Sequence, residues 1–293
     1  MTRLFRPTEY FRPKTIKEAL SMLSEYGRHG KVIAGGTDVM VERPPETKFF
    51  IDIASLSLAY IKKCDGNWTS IGALTTASAI EESNALRRGS LSVLSEASRL
   101  FAYNGVRNLA TIGGNICSAV PSADFPPALI ALKAKVRIIG PGGEREVVLD
   151  SFFVGPRKTV LEVDELLTEI VIPDPPNHSG TVFLKSSRTS VDLAIVNVAT
   201  SIQLDESGLC REARVALGAV APTPLRATKS EKVLLGQKMD LSVMEEAAHI
   251  AAQEITPISD VRASAEYRKQ LSEVLVKRAL QEALTRARES DHP

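Results

Sequence analysis

A chain of 293 residues exceeds what one small core organises, so two or three compact units are expected; 44% apolar and 24% charged residues exclude the disordered and fibrous classes. With 36 basic against 35 acidic side chains the formal charge is +1, which leaves no electrostatic footprint for nucleic acid or an anionic bilayer. No stretch approaches the roughly 20 apolar residues of a spanning helix, and the N-terminus lacks a signal-peptide core, so a cytoplasmic protein without a membrane span is expected.

Thr15-Ile16-Lys17-Glu18 has the form of a capping box, with Ala19, Leu20, Met22 and Leu23 following at helical spacing, which predicts a helix over 15–26. A short buried strand over 31–34 then runs into Gly35-Gly36, and Thr37-Asp38 can cap a helical turn. Strands are predicted over 49–53 and 68–71, the latter behind an Asp65-Gly66-Asn67 turn, with a first boundary near residue 55. Helical patterns over 76–82 and 91–100 lead to a second glycine-rich loop, Thr111-Ile112-Gly113-Gly114-Asn115, and strands resume over 135–139 and 144–149.

The proline-dense run 173–180 is the best linker and marks the main boundary. Beyond it come β-like runs over 181–185, 195–204 and 214–217, then helical patterns to the end, where Leu271, Val274, Leu275, Leu280 and Leu284 form one apolar face. The three cysteines, Cys64, Cys117 and Cys210, are scattered and contain no C-x-x-C pair, so neither a disulfide framework nor an iron–sulfur cluster, which takes four thiolates, is expected here. His178 and His249 fit no catalytic arrangement.

A Gly-Gly pair after a strand lets backbone N–H groups approach an anion, and a following helix start adds favourable dipole charge. At about 1.5–3 kcal/mol per charge-assisted hydrogen bond, one loop can anchor a phosphate and two converging loops a pyrophosphate. Each pair taken alone reads equally well as a turn. Neither matches G-x-G-x-x-G or the G-x-x-x-x-G-K-[ST] loop, which argues against a Rossmann domain or a P-loop nucleotidase.

Ala34-Gly35-Gly36-Thr37-Asp38 and Thr111-Ile112-Gly113-Gly114-Asn115 together resemble the two signatures of the flavoprotein subunits of the xanthine dehydrogenase and carbon monoxide dehydrogenase group, a branch of the molybdenum hydroxylases. The resemblance covers nearly the whole chain. Supporting marks are Tyr10-Phe11-x-Pro13, Val106-Arg107-Asn108, Pro121-Ser122-Ala123-Asp124, Glu165-Leu166-Leu167-Thr168-Glu169 with Ile172-Pro173, Lys185-x-x-Arg188, Asp192-Leu193-Ala194 and Tyr267-Arg268.

The resemblance implies an α+β fold: an FAD-binding region of two subdomains, residues 1–55 and 56–173, then a C-terminal α+β domain over 180–289. It implies that Val32, Ile33, Ala34, Gly35, Gly36, Thr37, Asp38 and Val39 wrap the FAD pyrophosphate and that Thr111, Ile112, Gly113, Gly114 and Asn115 complete the cradle. Phe101 would lie against the cofactor, Asp124 would bond its sugar or adenine side, Leu167 would pack nearby and Lys185 would approach the flavin ring. Read without the resemblance, Phe101 and Leu167 are core residues, Asp124 is a helix cap and Lys185 is a strand-edge charge.

The implied partners are a molybdenum-cofactor large subunit and a 2Fe-2S small subunit, in a dimer of heterotrimers, with NAD or a quinone as electron acceptor. No extra cluster-binding insertion is present, and no catalytic acid, base or nucleophile is required of this chain, since the cofactor carries the chemistry. Two other classes fit the same residues: a stand-alone FAD-dependent oxidoreductase, and a non-catalytic assembly subunit that has lost FAD.

Overall fold

The computed structural model describes residues 7–290. Strand β1 (Glu9–Phe11) leads into helix α1 (Ile16–Tyr26), whose N-cap forms as expected: Thr15 Oγ1 accepts from the Glu18 N–H at 3.1 Å, while Glu18 reaches back one residue further than a capping box, to the Lys14 N–H at 2.7 Å. After β2 (Gly30–Ile33) come a short α2 (Val39–Glu42) and β3 (Phe49–Asp52). These strands form a parallel sheet in the order β1-β3-β2, with Ile51 facing Phe11 on one side and Val32 on the other. Ala19 and Leu23 of α1 pack with Ile51, Ile53, Leu56 and Leu58 in a small core of their own.

Strands β4 (Ile61–Cys64) and β5 (Trp68–Gly72) form the expected hairpin. Helices α3 (Ala77–Glu82), α4 (Ser92–Arg99), α5 (Asn104–Arg107), α6 (Ile112–Cys117) and α7 (Phe125–Ala131) follow. Next come β6 (Lys135–Gly140), β7 (Gly143–Val148), a small hairpin β8 (Phe153–Gly155) and β9 (Lys158–Thr159), and β10 (Leu166–Pro173). The second sheet is antiparallel in the order β4-β5-β10-β6-β7, with a bulge in β10 between Leu167 and Glu169. Its central strand, β10, was not expected as a strand: its apolar run abuts the proline-dense segment, which obscures it.

That segment is shorter than the sequence suggests, because β11 (Ser179–Ser186) begins two residues before the expected run and Asp174 is tied back through its N–H to the Asn67 carbonyl at 2.8 Å. Strands β11, β12 (Val196–Leu204), β13 (Cys210–Gly218) and β14 (Leu225–Arg226) form a third, antiparallel sheet in chain order. After α8 (Thr228–Leu234), helices α9 (Leu241–Glu254) and α10 (Ala265–Glu289) pack together, and α10 lies on β11 and β12. Ala279, Ala283 and Ala287 of α10 are fully buried, small enough for the helix to approach the sheet closely. Helix α7 is buried on every side, with Phe125 and Leu129 in a core that also takes Phe183, Ala199 and Ala216 from the third sheet. It ties the second and third sheets together. Among the described residues no helix is long and apolar enough to cross a membrane.

Candidate functional site

Between the first and second sheets lies a cavity of about 560 Å³. Its first wall is the chain leaving β2. The Ile33 carbonyl still accepts from the Ile53 N–H at 3.0 Å, after which the backbone turns away from the sheet. Among the described residues, no group accepts a hydrogen bond from the main-chain N–H of Ala34, Gly35, Gly36, Thr37 or Asp38, although all five residues line the cavity. Since backbone donors are normally paired, a row of unpaired ones along a cavity is a seat for an anion. Gly36 adopts φ +72°, and Gly35 packs so closely on Leu109 and Ala110 that an added Cβ would stand 2.5 Å from the Leu109 carbonyl carbon. Asp38 was expected to cap α2, but it has helical dihedrals and makes no cap bond; its carboxylate accepts from Ser118 Oγ at 2.6 Å.

The second wall differs from expectation. Thr111 to Asn115 is not a glycine loop but the capped first turn of α6: Thr111 Oγ1 accepts from the Gly114 N–H at 3.0 Å. The N–H groups of Ile112 and Gly113 are spent on the Thr75 and Ala73 carbonyls, both at 2.9 Å, and that of Asn115 on Thr111 at 2.9 Å. Gly113 is required by packing, because a Cβ there would come within 2.7 Å of Ala73. This turn therefore offers side chains rather than a row of free amides. The Asn115 side-chain oxygen is buried without a partner in a residue that lines the cavity, so a polar group of a ligand would satisfy it.

Of the residues singled out in the sequence, Val32, Ile33, Ala34, Gly35, Gly36, Thr37, Asp38, Val39, Phe101, Thr111, Gly113, Gly114, Asn115 and Leu167 line this one cavity. Leu167 is at once core and wall, with 3% exposure. Three are not among the residues that line it. Ile112, fully buried, points into the core beside Ile116, as the helical spacing of α6 dictates. Asp124 and Lys185 form a buried ion pair with each other at 2.7 Å. Asn197 Nδ2 donates to the second Asp124 oxygen at 2.8 Å. Burial pushes the Asp124 carboxyl above its usual range, with Lys185 and Asn197 pulling the other way. Asp124 stands at the N-cap position of α7 but makes no cap bond, and Lys185 is on an edge strand yet points inward.

Residues the sequence did not single out complete the cavity: Arg28, Lys31, Arg157 and Lys158 add positive charge, and the chain from Val154 to Leu166 forms the far lip. Arg157, at φ +58°, pairs with Glu42 of α2 across the mouth. The Gly155-Pro156-Arg157-Lys158 run, a turn dipeptide carrying two cations, was the available signal. The Cys117 thiol, also in the wall, is pushed up to about 12 by burial despite Lys31 nearby.

The lip is held by Glu165, which takes both prongs of Arg145, at 2.7 and 2.6 Å, and the Glu162 N–H at 2.9 Å. The Arg145 hydrogen bonds draw its carboxyl below the ordinary range against the opposing effect of desolvation. A folded-state value below the unfolded one means that this fork stabilises fully above about pH 4.3 and is lost as pH falls through the lower folded value. Denaturant titrations of wild type and Glu165→Gln are expected to differ most at neutral pH and to converge in acid. A gap that widens in acid would contradict the assignment.

Two family models match the chain: an FAD binding domain in molybdopterin dehydrogenase over residues 5–175, and a CO dehydrogenase flavoprotein C-terminal domain over residues 181–283. The chain is 33% identical over 283 residues to the carbon monoxide dehydrogenase medium chain of Afipia carboxidovorans, covering 96% of this chain and 98% of the relative. It is 32% identical over 290 residues to the xanthine dehydrogenase FAD-binding subunit of Escherichia coli O157:H7, covering 97% and 98%. A solved chain of the carbon monoxide dehydrogenase of Hydrogenophaga pseudoflava, in a form lacking the Mo-pyranopterin moiety, superposes with a TM-score of 0.91 at 34% identity, covering 96% and 98%.

Proposed function

The chain belongs to the FAD-binding flavoprotein subunits of the molybdenum hydroxylase family, and from that premise we propose that it passes electrons from iron–sulfur clusters of a partner subunit through FAD to an external acceptor. It is an oxidoreductase subunit of α+β fold whose cofactor is FAD. The observation that carries the proposal is the row of unpaired N–H groups from Ala34 to Asp38 in the lining of the cavity that the capped first turn of α6 also lines.

Residues 34–38 hold the pyrophosphate through their amides, Asn115 offers a polar atom with no protein partner, and Lys31 and Arg157 offset the phosphate charge. The ring of Phe101 and the side chain of Leu167 supply apolar wall. Bound FAD supplies redox chemistry that can proceed in one- or two-electron steps; the chain's part is to bind, orient and shield it. The three larger sheets, which fall within 1–55, within 56–173 and, from Ser179 onward, in the remainder of the chain, support a division into two FAD-binding subdomains and a C-terminal domain.

Partners carrying the molybdenum cofactor and 2Fe-2S clusters follow from the same reading, as does a dimer of heterotrimers with NAD or a quinone as acceptor. It is supported by relatives that are named as a medium chain and as an FAD-binding subunit. The relatives oxidise substrates as unlike as carbon monoxide and xanthine by their names, so the organic substrate is read elsewhere than in this subunit.

The test is an absorption spectrum of the natively purified chain with its co-purifying subunits, and identification of the ligand released on denaturation. Flavin bands and released FAD are expected, together with no oxidation of an organic substrate by this chain alone. A colourless protein that also refuses added FAD would sink the cofactor assignment, and substrate turnover by the isolated chain would sink the electron-carrier role.

A further inference from the structure

The turn that carries Phe101 into the cavity is held by two cations at three successive carbonyls. The Leu100 carbonyl accepts from Lys185 Nζ at 2.9 Å, and those of Phe101 and Ala102 both accept from Arg107 Nη1, at 3.0 and 2.9 Å. Ala102 sits at φ +42°, in the left-handed region that an L-residue with a Cβ enters at a cost of about 1 kcal/mol. The turn is thus a conformation that its own sequence does not favour and that outside groups must hold.

Both cations are anchored. Arg107 Nε pairs with Glu81 of α3 at 3.1 Å, and its other prong meets Asn104. Lys185 comes from β11, in the third sheet, and is locked by Asp124, whose other oxygen takes the Asn197 amide from β12. Capping the end of an eight-residue helix such as α4 requires only a surface lysine. Here an ion pair with 3% exposure on each side chain spans two parts of the molecule, at a desolvation penalty that its Coulomb attraction need not repay. Its geometric consequence is that the end of α4, next to Phe101, is tied to the C-terminal sheet. Phe101 packs on Phe125 at 5.8 Å between centroids, directly after Asp124 in the chain.

We propose that Lys185, held by Asp124, and Arg107 are positioning residues that fix the Phe101 turn in the wall of the FAD cavity, so that the C-terminal sheet shapes the cofactor site through the Leu100 and Phe101 main chain. This rests on the FAD reading above.

The experiment is a double-mutant cycle in the full chain with its co-purifying subunits, reading the FAD dissociation constant and the visible circular dichroism of bound flavin. Lys185→Met/Asp124→Asn removes both buried charges together; Arg107→Lys keeps a charge but loses the fork. In the native background each is expected to weaken FAD binding about tenfold and alter the flavin dichroism, whereas in a Phe101→Ala background the further loss falls below about twofold. Equal losses in both backgrounds, or no loss in either, would overturn the proposal while leaving FAD binding intact. Should Lys185→Met/Asp124→Asn fail to fold, Arg107→Lys decides alone. A native chain that takes up no FAD would be a failure of the cofactor reading itself, and the inference would fall with it.

Discussion

Gly35→Ala is expected to lower FAD affinity at least a hundredfold. An added Cβ would overlap the Leu109 carbonyl oxygen outright and stand 3.1 Å from the Ala110 nitrogen. Both neighbours are backbone, so no side chain can swing aside. Either the loop over residues 34–38 lifts, or the chain entering α6 retreats. Both motions separate the unpaired amides from the end of α6, which is the relation a pyrophosphate requires. If two charge-assisted hydrogen bonds of about 1.5–3 kcal/mol each are lost, affinity falls by roughly two to four orders of magnitude. Gly36→Ala provides the contrast. Gly36 is at φ +72° and its added Cβ would meet Ile33 Cδ1 at 3.3 Å, so the penalty there is strain of about 1 kcal/mol with a flexible neighbour. Titration of both variants with FAD, alongside thermal melts, checks the ranking. A Gly35→Ala protein that binds FAD like the wild type would show that the contact yields, and that the cradle depends on something other than this approach.

The contrast between these glycines also explains how far the sequence could be read. Thr15 and Glu18, the Asp65-Gly66-Asn67 turn and the run over 195–204 act locally, so their elements appear where expected, whereas β11 starts two residues and β13 four residues before the expected runs. Gly35 and Gly113 act at a distance, one against Leu109 and the other against Ala73. Spacing marked both as special but gave the wrong reason for the second, since a glycine needed for packing inside a helix looks the same in sequence as one needed for a loop. That Asp124 and Lys185 pair with each other was hidden for the same reason. They stand 61 residues apart, and nothing in either neighbourhood announces that each is the other's partner. The hairpin β8–β9 and its Arg157–Glu42 contact were missed because two short strands carry too few residues for periodicity to register.

Arg268→Met is expected to destabilise the C-terminal sheet and helices by about 3 kcal/mol, several degrees in melting temperature. The side chain is 2% exposed. It donates to the Ile195 carbonyl at 2.5 Å and the Ala219 carbonyl at 3.0 Å, and pairs with Asp260 at 2.8 Å. These acceptors lie just before β12, just after β13 and in the loop before α10, so one guanidinium joins three elements that meet nowhere else in sequence. Two effects oppose each other on substitution. Methionine removes the penalty of desolvating a charge, which by itself would stabilise, but it leaves the buried Ile195 carbonyl without its donor at about 1–3 kcal/mol, and the part-buried Ala219 carbonyl at a smaller cost. Asp260 loses less, because the Arg262 side chain and the Arg262 and Ala263 N–H groups remain on it; the carbonyls have no such reserve, so destabilisation wins. Lysine should not rescue, since one ammonium cannot reproduce the planar fork. The effect should also reach the cofactor side, because Ala219, at φ +65°, donates its N–H to the Pro121 carbonyl at 2.7 Å, three residues before Asp124. Denaturant melts should therefore show lower stability for Arg268→Met and Arg268→Lys alike, with weaker FAD retention accompanying it. Full stability in either variant would mean that water or a shifted loop satisfies the two carbonyls, and that the junction between the two halves does not depend on this arginine.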